Sequence, residues 1–203
     1  MSHAPYDTAQ LWERLERWLF EHVPDEYASL RAGAAEANIS QLEEGLGFPL
    51  HPDLKVLLAR HDGVTAPLGS TDPGMFLMNY ALLDTRRILE QQRHLASMAA
   101  DAVEEGDEDL VVGRIAHGGW VPFAQSFSGD MLFVDHRRGA HYGEVGEMSF
   151  GDPDYRVLWA SQELMLEELC AGVENGSPLT SLPRVPSVHE GCKLEWHVFR
   201  ARR

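Results

Sequence analysis

The amino-acid sequence predicts an α+β fold, a single domain with a mostly antiparallel β-sheet and helices packed around it. Two observations carry this. Helical periodicity dominates the chain from Asp7 to Val103, strand patterns cluster from Trp120 onward, and a helical stretch then returns. The segments between the later strands are of hairpin length, which favours antiparallel pairing over a regular βαβ succession.

The first helix starts at Asp7, which can cap it with Gln10 as the reciprocal partner three residues on. Leu11, Leu15, Trp18 and Leu19 follow at helical spacing with Trp12 on the flank, and Pro24 ends the run. A second helix spans Glu36 to Leu46 with Ile39, Leu42 and Leu46 inward, and Gly47 supplies the left-handed position after it. A third begins at Pro52, a favoured first residue, carries Leu54, Leu57 and Leu58, and stops near Gly63. Met75 to Met78 reads as a short strand. A long helix then runs from Asp84 or Thr85 toward Val103 on a stripe of Ile88, Leu89, Gln92, Leu95, Met98, Ala99 and Ala102. Beyond Val103 the chain reads as a solvated loop, because six of the nine residues from Asp101 to Asp109 are acidic and Gly106 interrupts them.

Trp120 to Ala124 and Met131 to Asp135 form a hairpin around the Ser126–Asp130 turn. Tyr142 to Phe150 is a third strand, Gly151, Asp152 and Pro153 are turn residues, and Arg156 to Trp159 is a fourth strand. Ser161 caps a last helix that offers Leu164, Leu166, Leu169 and Val173 for burial, and Asn175-Gly176 closes it. A Pro-rich stretch from Pro178 to Pro186 leads to a final strand, Lys193 to Phe199, in which Leu194, Trp196 and Val198 alternate with polar residues.

The 203 residues are 44% apolar, enough for one well-packed domain. Asp and Glu outnumber Lys and Arg by 32 to 17, and the formal charge of −15 repels phosphates and argues against nucleic-acid binding. It would suit a basic partner, or serve solubility alone. Two cysteines, Cys170 and Cys192, fit a reduced cytoplasmic protein better than a secreted disulfide scaffold, although spacing alone leaves a disulfide between them open. Met1 to Gln10 has neither the basic nor the apolar region of a signal peptide, and no apolar run reaches the ~20 residues of a membrane span.

No catalytic motif stands out. The ten histidines are scattered, and no pair sits at helical i, i+4 spacing with a Glu between. His136 and His141 flank the Arg137-Arg138-Gly139 turn, but two imidazoles are half a zinc site, and exposed turn histidines are the simpler reading. His117-Gly118-Gly119-Trp120 resembles an oxyanion fragment without the G-x-S-x-G elbow it would need. Gly143-Glu144-Val145-Gly146 is too short for a dinucleotide fingerprint. Asp130 and Asp135 flank one strand at odd spacing, so their side chains point to opposite faces, and turn and strand-end roles suit them. No metal, cofactor or catalytic residue is therefore assigned.

Two blocks do carry a family resemblance. The first runs from Gly33-Ala34-Ala35-Glu36 through Leu46-Gly47-Phe48-Pro49-Leu50-His51-Pro52-Asp53-Leu54 to Arg60-His61-Asp62-Gly63. The second is Trp120-Val121-Pro122-Phe123-Ala124, then Gly129-Asp130-Met131-Leu132-Phe133-Val134-Asp135 and Gly143-Glu144-Val145-Gly146. Together they resemble the SUKH superfamily, which includes fungal cell-wall regulators and bacterial immunity proteins, from about Trp12 to Gly172. The resemblance implies a SUKH-like domain over residues 8–175, with 176–203 a C-terminal extension holding the last strand. It implies structural roles for Gly47, Pro49, Pro52, Asp62, Gly63, Trp120, Pro122, Gly129, Asp130 and Asp135. Trp120 offers apolar area and an N–H that needs a partner if buried. Pro122 suits a strand edge or a bulge.

The resemblance also implies a binding protein rather than an enzyme. The first expectation is an immunity protein that neutralises a basic toxin domain, possibly a nuclease; the alternative is an intracellular adaptor or regulatory interaction module. The acidic residues Asp101, Glu104, Glu105, Asp107, Glu108 and Asp109 are the expected partner surface.

Overall fold

The computed structural model describes residues 7–65, 72–151, 154–189 and 193–199. Among them are seven helices, α1 (Thr8–His22), α2 (Pro24–Ser29), α3 (Glu36–Leu46), α4 (Pro52–Arg60), α5 (Thr85–Glu105), α6 (Glu108–Val111) and α7 (Gln162–Asn175). The strands are β1 (Tyr80–Leu82), β2 (Trp120–Ser126), β3 (Met131–Asp135), β4 (Val145–Met148), β5 (Arg156–Trp159), β6 (Arg184–His189) and β7 (Lys193–Val198). The first five form one sheet in sequence order, each pairing antiparallel with the next, and β6 and β7 form a separate ribbon. The α+β expectation holds.

Local chemistry explains the helices. In α1 the Asp7 carboxylate accepts from Gln10 N at 2.8 Å while Gln10 Oε1 accepts from Asp7 N at 3.2 Å, closing a capping box. Leu11, Leu15 and Leu19 are buried, but the flanking tryptophan is the core one: Trp12 is buried, and Trp18 is half-exposed with its ring stacked on His22 at 4.8 Å. In α7 the neighbour again takes the predicted place, with Met165 buried and Leu164 47% exposed. Pro24 ends α1 and also opens α2, a short helix that the sequence reading passed over.

The central strands β2, β3 and β4 are buried on both faces, and the period-two alternation of β3 shows how. Leu132 and Val134 join the main core with α1, α4 and α7, whereas Met131 and Phe133 join a second cluster with Leu95 and Ala99 of α5. Pro122 lies at a bulge inside the interior strand β2, where the register with β3 shifts.

Four expectations need correction. Met75 to Met78 is a packed turn, not a strand, since Met78 and Asn79 both take positive φ (57° and 70°), Leu77 makes only an isolated bridge to Tyr80, and the ladder with β2 starts at Tyr80. A short apolar run fits a buried turn as well as a strand, and burial of all four residues hid the difference. The third strand is shorter than read, Val145–Met148. The stretch after Val103 is not a loop: α5 continues to Glu105, Gly106 closes it at φ 82°, and α6 follows. The Pro-rich stretch before the last strand contains β6, with Pro186 facing Trp196.

Cys170 is a buried free thiol that burial pushes up to about 11, and Cys192 lies outside the described residues, as do Asp152 and Pro153 of the expected turn. No helix among the described residues is long and apolar enough to cross a membrane.

Candidate functional site

The expected acidic surface lies on the end of α5 and on α6. Asp101, Glu104, Glu105, Asp107, Glu108 and Asp109 are all exposed, and among the described residues no cation pairs with any of them. Helix α5 is charged against its own dipole, with Arg86 and Arg87 in its first turn and Glu104 and Glu105 in its last. Val103 and Leu110 stand 58% and 57% exposed among the carboxylates, so apolar area accompanies the charge.

The family-motif residues do not converge on this surface; they brace the scaffold. Gly47 ends α3 at φ 78°, Pro49 is exposed beyond it, and Pro52 opens α4. Asp62 Oδ1 accepts from Thr85 N at 2.7 Å, tying the end of α4 to the start of α5. Gly63 (φ 77°) lets the chain pass so close that a Cβ there would lie 2.7 Å from Asp84 N. Trp120 is fully buried, stacks on Phe133 at 4.3 Å, and donates Nε1–H to Asp135 Oδ2 at 3.2 Å. Asp135 is itself buried and takes the Arg137 guanidinium at 2.6 and 2.8 Å, while that guanidinium sits 5.7 Å from the rings of both Trp120 and Tyr155. Arg137, read as a turn residue, thus turns inward to neutralise a buried carboxylate.

His136 is not an exposed turn histidine. Its Nε2 accepts from His51 N at 2.8 Å and its Nδ1 donates to Val134 O at 2.9 Å, so the neutral tautomer is specified. Burial, assisted by the nearby His51, pulls its imidazole down to about 4. His141 is apart from it, paired with Glu144 at 2.9 Å. Among the described residues no three metal-ligating side chains come together.

A groove of about 910 Å³ that the sequence did not point to opens between the sheet and the β6–β7 ribbon. Its floor is a polar relay: the Tyr80 hydroxyl donates to the Glu147 carboxylate, which also takes Arg156. Glu147 is only 5% exposed. Asp130, from the hairpin turn, lies at the rim and takes the Ser128 hydroxyl at 2.7 Å. The ribbon forms the opposite wall with Arg184, Lys193 and Trp196. Trp196 is inserted into the core, donating Nε1–H to Phe76 O at 2.7 Å, and Asn79 Nδ2 donates to Trp196 O at 2.9 Å. The two left-handed residues Met78 and Asn79 both line the groove, and such strained backbone persists only where the surroundings over-determine it. Glu147 inside the apolar strand Val145–Met148 was the one signal in the sequence.

The profile of the SMI1 / KNR4 family (SUKH-1) matches residues 33–168. A Schizosaccharomyces pombe protein named cell wall biosynthesis/cell cycle regulator smi1 is 29% identical over 195 residues, covering 85% of this chain and 37% of that protein. KNR4/SMI1 homolog 2 of Debaryomyces hansenii is 28% identical, covering 76% of this chain and 34% of its own. A glucan synthesis regulatory protein of Neurospora crassa is 25% identical, covering 81% and 38%. The chain thus spans little more than a third of the length of these relatives. The matched segment supplies the floor of the groove, and the ribbon wall lies beyond it.

Proposed function

Because the chain belongs to the SMI1 / KNR4 family (SUKH-1), we propose that it is a regulatory protein-interaction module whose acidic segment at 101–109 meets a basic partner. The observation that carries this reading is the acidic segment over the end of α5 and α6, exposed and without a cation partner among the described residues, with Val103 and Leu110 exposed within it. Carboxylates at a helix C-terminus each cost roughly 0.3–1 kcal/mol against the dipole. Lys or Arg from a partner would relieve that repulsion, and two exposed apolar side chains would gain by being covered.

Two of the three relatives are named for regulation, of cell wall biosynthesis and the cell cycle in one case and of glucan synthesis in the other. The regulatory reading is therefore preferred to the toxin-neutralising one, which rests on the wider resemblance and on charge complementarity. Reading the chain as a binder rather than an enzyme fits the same relatives.

The test replaces Glu104, Glu105, Asp107 and Glu108 with Ser. Partners recovered from native cells by the parent protein should be lost or weakened. For a purified partner, the association rate should fall and its salt dependence flatten, because exposed charges act over roughly 8 Å at physiological salt and about 3 Å at 1 M. Identical association rates and salt slopes for the two proteins would remove this segment from the interface.

A further inference from the structure

We propose that the groove between the sheet and the β6–β7 ribbon binds an anionic side chain of an extended peptide, with Arg184 as its principal ligand. The inference rests on the reading of the chain as a protein-interaction module but concerns a different surface and the opposite sign of charge. Among the described residues lining the groove, most charges already have partners. Glu147 is occupied by Tyr80 and Arg156. Asp130 is occupied by the serines of its own turn. Glu195 takes Lys193 Nζ at 3.1 Å, and His197 Nε2 meets Ser187 Oγ at 2.8 Å. Arg184 is left over: half-buried, with a guanidinium that makes no ion pair and no hydrogen bond among the described residues. It lines the groove together with Tyr80 and Glu147 of the floor.

A guanidinium presents five N–H donors in a planar fork that matches the paired oxygens of a carboxylate or a phosphate. Arg156 lies on the same groove, 52% exposed at its side chain, with one terminal nitrogen on Glu147. Both arginines line the same groove. The groove's volume exceeds what a lone anion fills, and its walls mix charge with apolar area from Met75, Trp196 and Phe127, the last 64% exposed. That mixture suits a peptide with an acidic or phosphorylated residue flanked by apolar ones.

The experiment titrates isotope-labelled full chain, followed by amide chemical shifts, with three peptides: Gly-Phe-Xaa-Phe-Gly with phosphoserine, glutamate or serine at Xaa. Inorganic phosphate is a fourth probe. The phosphoserine and glutamate peptides should move the amides of Asn79, Ser128 and Arg184 saturably, and the serine peptide should not; the tighter of the two anionic peptides identifies the source of the charge. Arg184→Gln should weaken binding about tenfold or more, the usual scale for a hydrogen bond to a charged group, and Arg184→Lys should fall between. Because Arg184 has no partner to lose, both variants should keep the parent's thermal midpoint. Equal response to all three peptides, shifts confined to other surfaces, or unchanged affinity in Arg184→Gln would overturn the proposal. Inorganic phosphate binding as tightly as the phosphopeptide would overturn its peptide part. If the peptides fail here while the Glu104, Glu105, Asp107 and Glu108 substitutions still abolish partner capture, the groove proposal falls and the interaction-module reading stands.

Discussion

Trp120 shows how one residue couples the two kinds of force in this protein. Its ring fills the cluster between the sheet and α5, and its N–H, with Arg137, satisfies the buried Asp135 carboxylate. Trp120→Ala should therefore destabilise the fold by about 3–5 kcal/mol, the usual cost of deleting a buried large aromatic. Trp120→Phe isolates the hydrogen bond and should cost about 1–3 kcal/mol, since Asp135 keeps Arg137. Denaturant midpoints measure both, and an unchanged midpoint in the alanine variant would place the ring outside the core. Gly63 is constrained by backbone instead. Any side chain there meets the Asp84 peptide and must also adopt a positive φ, so Gly63→Ala should cost about 2 kcal/mol or more even though the position is not catalytic. The need for a glycine was legible in the sequence as a helix stop; the contact that enforces it was not, because Asp84 arrives from another element.

At the scale of elements, α5 has opposing ends. Its N-terminus is well satisfied, since Asp84 accepts from Arg87 N at 2.8 Å and Asp62 from Thr85 N at 2.7 Å. Asp84→Ala should cost about 1 kcal/mol as a lost cap, and somewhat more because Arg31 loses its partner. The acidic C-terminus should behave the other way. Replacing Glu104 and Glu105 with Ser should leave stability unchanged or raise it by a few tenths to 1 kcal/mol, as repulsion and dipole opposition are relieved. A thermal midpoint that drops by several degrees would instead reveal a structural role for those acids. The ribbon is the other informative element. Its alternation at Leu194 and Trp196 was readable, and both side chains reach the main core, but the partner strand was hidden in a Pro-rich stretch. Proline is tolerated there because a two-stranded ribbon is all edge.

Across the whole molecule, acid should act in two windows. His136 is held neutral, with its imidazole at about 4 against an ordinary value near 6.5. The unfolded chain therefore binds the proton first, and the contribution of the neutral ring is complete above pH 6.5 and lost as pH falls toward 4. The shift limits the effect to at most about 3 kcal/mol. His51 and His117 are lowered by burial in the same direction and add to this window. Glu16 and Glu168 are held down to about 2: burial raises both, but hydrogen bonds outweigh it, from Arg60 and His61 at Glu16 and from Thr180 and Trp159 at Glu168. Their contribution is present above pH 4.5 and is lost as pH falls toward 2. Unfolding free energy measured from pH 7 to 3 should fall between 6.5 and 4, and His136→Gln should flatten that limb; an unchanged slope would mean that the ring titrates freely. By itself the sequence determined the helix caps, the buried stripes and the β2–β3 hairpin, because each depends on residues within a few positions of one another and on a period of 3.6 or 2. Only the tertiary structure decided which of two neighbouring tryptophans faces inward, that Met78 and Asn79 turn left-handed, and that Tyr80, Glu147, Arg156 and Arg184 share one groove. Those outcomes depend on strand register and on contacts between residues far apart in the chain, such as Asn79 with Trp196, and no local pattern encodes such a pairing.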